Sequence, residues 1–166
     1  ARNEIQTRPV FRTNCFEMDV PLRTVEKADV DAAGARIEAV KAGREVRFTD
    51  CARLVDDLKD ASSRGILEKR LKYYAHSKLM IIDELGYLAI DEQGANLMFQ
   101  LISTRYEKRS TIITTNVGIG GWANVFGDDV AASAIADRVC HHCTLIKITG
   151  RSYRLKDLPA ERRKED

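Results

Sequence analysis

The sequence predicts an α/β fold with a mostly parallel sheet, because four short apolar runs alternate with helical patterns. The runs begin at residues 45, 78, 111 and 144, so each start lies 33 residues after the previous one. Strands that alternate with helices in this way are typical of βαβ units. The second run, Lys78-Leu-Met-Ile-Ile82, is apolar after its lysine, which favours a central strand covered on both faces.

Apolar residues recur at helical spacing between these runs. Asp50 is placed to cap a helix that carries Leu54, Val55 and Leu58 on one face and ends near Gly65. The same periodicity predicts helices over 32–42, 66–74, 94–107 and 129–139. Residues 1–24 show no clear period, so no element is predicted there.

Length and composition indicate one soluble domain. The chain has 166 residues, 31% of them charged, with a formal net charge of +2. No apolar run approaches the roughly 20 residues that span a bilayer, and no secretory signal pattern opens the chain. Four cysteines are too few for a disulfide scaffold. We therefore expect a cytoplasmic protein without a membrane partner, in which any nucleic-acid binding comes from a local basic patch.

Two acids follow the second apolar run, at the point where a central strand should end. Asp83 and Glu84 come directly after Leu79-Met-Ile-Ile82, and ligands of open parallel sheets bind at the carboxyl ends of the strands. There, Asp83 could hold Mg²⁺ through water, and Glu84 could orient or deprotonate an attacking water. The alternative is a strand that simply ends in two solvated acids.

Asn116 ends the third run, Thr111-Ile-Ile-Thr-Thr115, on the neighbouring predicted strand. A polar side chain at this place can reach the γ-phosphate or the attacking water of a phosphate-cleaving site. Asn is also a common turn former after a strand, so both interpretations stay open.

A recognisable pattern runs in order through six segments of the sequence. They are Ile82-Asp-Glu-Leu-Gly-Tyr-Leu88, Gly94 to Glu107, Ser110 to Asn116, Trp122-Ala-Asn-Val-Phe-Gly-Asp128, Ala134 to His142 and Gly150-Arg-Ser-Tyr-Arg-Leu155. Together they closely resemble the IstB-like ATP-binding proteins. These are AAA+ helper ATPases of insertion-sequence transposition, related to DnaC-type helicase loaders. The resemblance covers roughly residues 36 to 157.

The resemblance implies a three-layer P-loop NTPase fold of the AAA+ type. It implies that Asp83 and Glu84 form the Walker B pair, with Asp83 on Mg²⁺, and that Asn116 is sensor 1. Arg138 falls at the place of the arginine finger, although a structural cation at a helix end is the alternative. ATP and Mg²⁺ are the implied cofactors, and double-stranded DNA, a transposase and further copies of the chain are the implied partners. Because the sequence ends soon after the fourth run, we expect no C-terminal helical lid.

The sequence departs from the family pattern where the phosphates of ATP should bind. A P-loop requires Gly-x-x-x-x-Gly-Lys-Ser/Thr, because only glycines let backbone amides wrap the phosphates. The corresponding segment is Val20 to Asp29, in which Lys27 stands near the place of the P-loop lysine between Glu26 and Ala28. Lys27 is therefore either a phosphate ligand or a surface lysine. The sequence does not decide whether the chain is an ATPase.

This departure divides the sequence into three segments. Residues 1–35 form a divergent N-terminal segment, which is degenerate or frame-shifted, residues 36–157 form an ATPase core, and residues 158–166 form a charged tail. The predicted function is that of an ATP-binding transposition helper, impaired in nucleotide binding if the loop is lost. A DnaC-like helicase loader and a non-catalytic DNA- or protein-binding remnant of the fold are the alternatives.

Two basic stretches with interleaved tyrosines are candidates for DNA contact, since basic side chains beside aromatic rings suit phosphate binding and base stacking. A solvated helix face would have the same composition. The candidate DNA-binding residues are Arg64, Lys69, Arg70, Lys72, Arg151 and Arg154.

The segment Cys140-His-His-Cys143 has a metal-like spacing. No second pair of ligands with zinc spacing accompanies it. We therefore interpret it as a helix end and predict no zinc there.

Overall fold

A five-stranded sheet organises the chain. The computed structural model describes residues 8–13 and 39–148. Strand order is β2-β3-β4-β1-β5, and β2, β3 and β4 are parallel neighbours, whereas β1 is antiparallel to both β4 and β5. Four of the five strands thus run in one direction, as the sequence predicts. The strands are β1 (Arg8–Thr13), β2 (Val46–Asp50), β3 (Leu79–Leu85), β4 (Ser110–Thr115) and β5 (Cys143–Ile148).

Strand β1 lies in a part of the sequence for which no element is predicted. It pairs Val10 with Thr114 and Thr13 with Thr111 of β4. Because β1 is antiparallel to β4, its last residue, Thr13, lies at the sheet edge opposite to the one where β3 and β4 end. The pairing joins residues about a hundred positions apart, so local periodicity could not reveal it.

Four of the predicted helices are present, with ends shifted by at most two residues. The helix predicted over 32–42 lies largely outside the described residues, of which 39–41 are helical. Asp50 caps the first helix as predicted and accepts a hydrogen bond of 2.8 Å from the backbone N–H of Arg53. Asp91 and Asp128 cap two later helices in the same way. The short helix that begins at Trp122 was not predicted. The helices are α1 (Cys51–Ser63), α2 (Leu67–His76), α3 (Glu92–Arg105), α4 (Trp122–Phe126) and α5 (Asp129–Cys140).

The sheet is covered on both faces, which makes three layers. Met80, Ile82 and Ile113 pack into a core with helices α1 to α5 on one face. Leu79, Ile81 and Ile112 face the other side, where they contact Ala39, in the part of the predicted 32–42 helix that the structure describes. The first four residues of β3 are at most 1% exposed, which confirms the prediction of a central strand covered on both faces. Within the described residues, no helix is long and apolar enough to cross a membrane.

Arg105, the last residue of α3, is buried and its guanidinium is surrounded by oxygen acceptors. It donates to the carbonyl oxygens of Tyr74 (2.8 Å), Ser77 (3.1 Å) and Ser110 (2.6 Å), and its Nε donates to Thr111 Oγ1 (3.0 Å). Burial, followed by the nearby positive charges of Arg109 and Arg47, lowers the pKa of Arg105 to about 10. The guanidinium is therefore still charged at neutral pH and joins three elements of the fold.

Replacement of Arg105 by Met should lower the free energy of unfolding by about 3 kcal/mol, because several buried oxygens lose their only charged donor. Urea denaturation followed by circular dichroism measures the effect. Arg53→Met is the matched control: its side chain is 87% exposed, so we expect a change of about 0.5 kcal/mol or less. Equal and small effects of both changes would contradict the role assigned to Arg105.

Candidate functional site

Asp83 and Glu84 lie at the carboxyl end of β3, where the strand is irregular. Ile82 pairs with Ile113 and Leu85 pairs with Thr115, so two residues of β3 oppose the single residue Thr114 of β4. Such a bulge turns the local chain direction and re-aims side chains. Glu84 has a left-handed backbone (φ 61°) at this bulge. Its side chain is exposed, whereas that of Asp83 is half-buried. The strand therefore extends through both acids instead of ending before them.

Thr114 holds this bulge through one hydroxyl group. The hydroxyl donates to Asp83 Oδ1 and accepts a hydrogen bond of 3.0 Å from the backbone N–H of Glu84. Both acids are thereby fixed relative to β4. Sequence reasoning missed Thr114, although its position near the end of the strand beside the acids was the available signal.

Asn116 lies beside the loop that follows the two acids. Gly86, in that loop, has a left-handed backbone (φ 93°), and a Cβ there would lie 2.8 Å from Val117 Cγ2 and 3.3 Å from Asn116 Oδ1. The close approach requires glycine and packs the loop after β3 against the loop after β4. Asp83, Glu84 and Asn116 are thus brought to the same edge of the sheet, as the sequence predicts.

A small acidic cleft of about 140 Å³ opens next to Glu84, between the start of α1 and the loop after β3. Lys59 lies in it 2.7 Å from Asp91, and the hydrogen bond from Lys59, followed by that from the N–H of Gly94, lowers the pKa of Asp91. Burial, aided by the charge of Asp50, raises the pKa of Cys51 to about 12, so this thiol is not a nucleophile at neutral pH. The carboxylates that line the cleft are Asp50, Asp56, Glu84 and Asp91.

The side chains at this edge suit Mg²⁺ better than phosphate. Asp83 offers a carboxylate fixed by Thr114, and carboxylates are the ligands that Mg²⁺ prefers. Among the described residues, the loops that leave this edge contain no Gly-x-x-x-x-Gly-Lys segment, and the glycine-bearing loop there forms a short 3₁₀ turn, Ile119–Gly121, without a lysine. Lys27 lies outside the described residues. The described part of the chain therefore fits the metal but holds no cradle for a triphosphate.

Arg138 lies near the end of α5, which leads into the start of β5, and so belongs to the sheet edge opposite to Asp83. Its guanidinium donates to the carbonyl of Ala134 (3.0 Å) and lies 4.5 Å from the ring centroid of Phe99. The side chain is half-buried. Arg138 is therefore not brought together with the other candidate catalytic residues of its own chain.

The predicted DNA-binding residues of α2 and its surroundings are exposed or half-buried, and three of the four are already paired with acids. Arg64 lies 3.0 Å from Asp60, Arg70 lies 3.2 Å from Asp57, and Lys72 lies 2.6 Å from Glu68. Sequence reasoning missed Arg47, whose guanidinium stacks 3.6 Å above the half-exposed ring of Tyr73. Lys69 is exposed, and Arg151 and Arg154 lie outside the described residues.

Solved structures with the same fold define the class of the protein. The DnaC helicase loader superposes with a TM-score of 0.52 at 23% identity over 64% of each chain. The replication initiator DnaA bound to AMPPCP and single-stranded DNA superposes with a TM-score of 0.53 at 18% identity, over 64% of this chain and 33% of that one. The fold is that of the AAA+ P-loop ATPases, as the sequence predicts.

Sequence relatives then identify the family. Residues 25–160 match the family described as IstB-like ATP binding protein, and the chain belongs to that family. The ATP-binding protein of insertion sequence IS232 from Bacillus thuringiensis subsp. berliner is 51% identical over 76% of this chain and 50% of its own length. That of IS21 from Pseudomonas aeruginosa is 43% identical over 73% and 46%. The chain thus spans about half the length of the curated relatives it matches.

Replacement of Thr114 by Val should lower the free energy of unfolding by about 1–2 kcal/mol, because Asp83 loses a donor and the N–H of Glu84 loses its acceptor. Thr114→Ser keeps the hydroxyl and should retain most of the stability. Urea denaturation of the two variants beside the parent chain measures the difference. If Val and Ser are equally tolerated, the hydroxyl does not hold the bulge.

Proposed function

We propose that the chain acts as an ATP-binding helper of DNA transposition, together with DNA and a transposase. Two observations support the proposal. The named relatives are insertion-sequence ATP-binding proteins, and the fold brings Asp83, Glu84 and Asn116 to one edge of the sheet. The second observation carries the proposal, because these side chains are the ones that nucleotide hydrolysis needs.

The three residues supply the hydrolytic half of a nucleotide site. Asp83 would hold Mg²⁺ through water, and its orientation is fixed by Thr114. Glu84, exposed on the bulge, is placed to orient or deprotonate a water molecule. Asn116, whose Oδ1 lies beside Gly86 in the loop after β3, would contact a phosphate oxygen or that same water.

Arg138 completes this site in a neighbouring copy of the chain. It lies at the opposite sheet edge from Asp83, so its guanidinium cannot serve the site of its own chain. An arginine supplied by a second subunit stabilises charge on the transferring phosphoryl group. The proposal therefore includes a homo-oligomer in which each interface joins Arg138 of one copy to Glu84 of the next.

Nucleotide affinity should be weak in the chain as it stands, because its sequence contains no Gly-x-x-x-x-Gly-Lys segment that could hold the β-phosphate beside Mg²⁺ on Asp83. Titration of the chain with fluorescently labelled ATP and Mg²⁺ measures the affinity, and the IS232 relative provides the comparison. We expect no saturation at micromolar ATP and no change on Lys27→Ala. Micromolar binding that is lost on Lys27→Ala would show that Lys27 belongs to a working phosphate site.

DNA binding should be insensitive to sequence and strongly dependent on salt. With four to six phosphate contacts from the basic stretches, the affinity for duplex DNA should fall by roughly two to three orders of magnitude between about 50 and 200 mM salt. Fluorescence anisotropy with two unrelated duplexes measures it, and Lys69→Ala should reduce the salt slope by about one.

Lys59→Ala is the matched control, since the ammonium of Lys59 is held by Asp91 in the acidic cleft. The control should leave both the affinity for DNA and its salt slope unchanged. Binding that depends on sequence and hardly changes with salt would count against phosphate-directed contact.

A DnaC-like helicase loader is the second candidate, favoured by the superposition on the DnaC structure over 64% of both chains. The greater identity to insertion-sequence proteins favours the transposition helper. Co-purification with an insertion-sequence transposase, compared with co-purification with a replicative helicase, separates the two functions. A chain that binds DNA but neither partner would fit the non-catalytic remnant.

A further inference from the structure

Three metal-ligand side chains converge at the sheet edge opposite to Asp83. Glu107 lies in the turn between α3 and β4, and His141 and His142 lie in the turn between α5 and β5. One donor atom of each of the three lies within 4.8 Å of the other two. His142 Nε2 is 3.5 Å from Glu107 Oε1, and His141 Nδ1 is 3.9 Å from the same oxygen.

These separations match the spacing of ligands around a small divalent cation. Zinc bonds to nitrogen and oxygen are about 2.0–2.2 Å long, so neighbouring ligands of a tetrahedral site lie roughly 3.3–3.5 Å apart. The distance from His142 Nε2 to Glu107 Oε1 lies within this range, and the distance from His141 Nδ1 to the same oxygen is a few tenths of an ångström longer. Two imidazoles and one carboxylate also form a ligand set that zinc uses when its fourth position is left to water. All three side chains are exposed, so a metal ion in solution can reach them.

The backbone holds the carboxylate in place at an energetic cost. Glu107 has a left-handed backbone (φ 55°), which is unfavourable for a residue other than Gly, Asn or Asp. The turn is fixed by hydrogen bonds of 3.0 Å from the N–H groups of Lys108 and Arg109 to the carbonyl of Arg105. On the other side, the N–H of His141 donates to the carbonyl of Asp137 at 2.9 Å. Both halves of the cluster are therefore attached to helix ends.

The two cysteines that flank the histidines do not belong to this set. Among the residues that the structure describes, the group that converges is Glu107, His141 and His142, and neither flanking cysteine is part of it. The partner of the two histidines comes instead from a turn more than thirty residues earlier in the chain.

We propose that Glu107, His141 and His142 form a zinc site with a water molecule as the fourth ligand. The metal ion joins the turn before β4 to the turn before β5. This site is separate from the nucleotide site, because it lies at the other edge of the sheet and shares no residue with it.

Tyr106 is the group with which the metal competes. Its hydroxyl is hydrogen-bonded to His141 Nδ1. Whether Nδ1 donates or accepts in this hydrogen bond, it must give the bond up before its lone pair can bind zinc. Zinc binding through Nδ1 therefore breaks this hydrogen bond. Removal of the hydroxyl should preserve or increase the affinity for zinc, whereas removal of a ligand should decrease it.

Isothermal titration of the metal-free chain with ZnCl₂ tests the site. We expect one equivalent of zinc to bind. His142→Ala and Glu107→Gln should each lower the affinity roughly tenfold or more, and Tyr106→Phe should not lower it. His76→Ala is the matched control, because His76 is the third histidine of the chain and lies exposed at the end of α2. Circular dichroism without metal shows whether each variant is folded.

Cobalt substitution separates this site from one made by the cysteines. The Co²⁺-loaded chain should show ligand-field bands without a thiolate charge-transfer band, and Cys140→Ser/Cys143→Ser should still bind one equivalent. Absence of zinc binding, equal loss in His76→Ala, or loss of binding in the double serine variant would overturn the proposal. These outcomes do not involve ATP or DNA and leave the proposed function untouched.

Discussion

The buried guanidinium of Arg105 sets the alignment on which the site depends. Its donors hold the end of α2, the turn before β3 and the first two residues of β4 together. These acceptors are carbonyl and hydroxyl oxygens, whose dipoles offset the cost of burying the charge. Because the starts of β3 and β4 are fixed, the two strands stay in register up to the pair of Ile82 with Ile113. The next residues are Asp83 and Thr114, so an interaction at one sheet edge determines which side chains meet at the other.

Local signals in the sequence were sufficient for most of the fold. The cap at Asp50, the apolar face of α1 and the apolar run of β3 involve only neighbours in the sequence, and the structure has each of them. Strand β1 could not be found in this way, because its place in the sheet is set by pairing with β4 and β5. The left-handed Glu84 was equally invisible, since a bulge arises from the register between two strands and not from the residue type.

The candidate site shows the same division between local and distant information. Acids after an apolar strand and a polar residue after its neighbour indicated where Asp83, Glu84 and Asn116 would meet. The role of Thr114 required the register. Among the basic residues, the pairs Lys72–Glu68 and Arg64–Asp60 have helical spacing and were readable from the sequence. The pair of Arg70 with Asp57 joins separate elements, and so does the convergence of Glu107 with the two histidines. Residue spacing alone reveals neither, and it predicts no zinc at the histidines.

The residues of the two proposals lie at opposite edges of the sheet. Asp83, Glu84 and Asn116 occupy the carboxyl edge, whereas Arg138 and the Glu107–histidine cluster occupy the amino edge. Arg138 and Glu107 line the same small cavity beside Tyr106. A metal ion bound to Glu107 and the two histidines would therefore restrain the loop that follows α5. An arginine that acts on a neighbouring subunit must be held by its own fold, because the interface alone cannot align it before the subunits meet. The proposed zinc site lies beside the end of α5, so a bound metal ion would restrain the helix end that carries Arg138 without contacting the carboxyl edge.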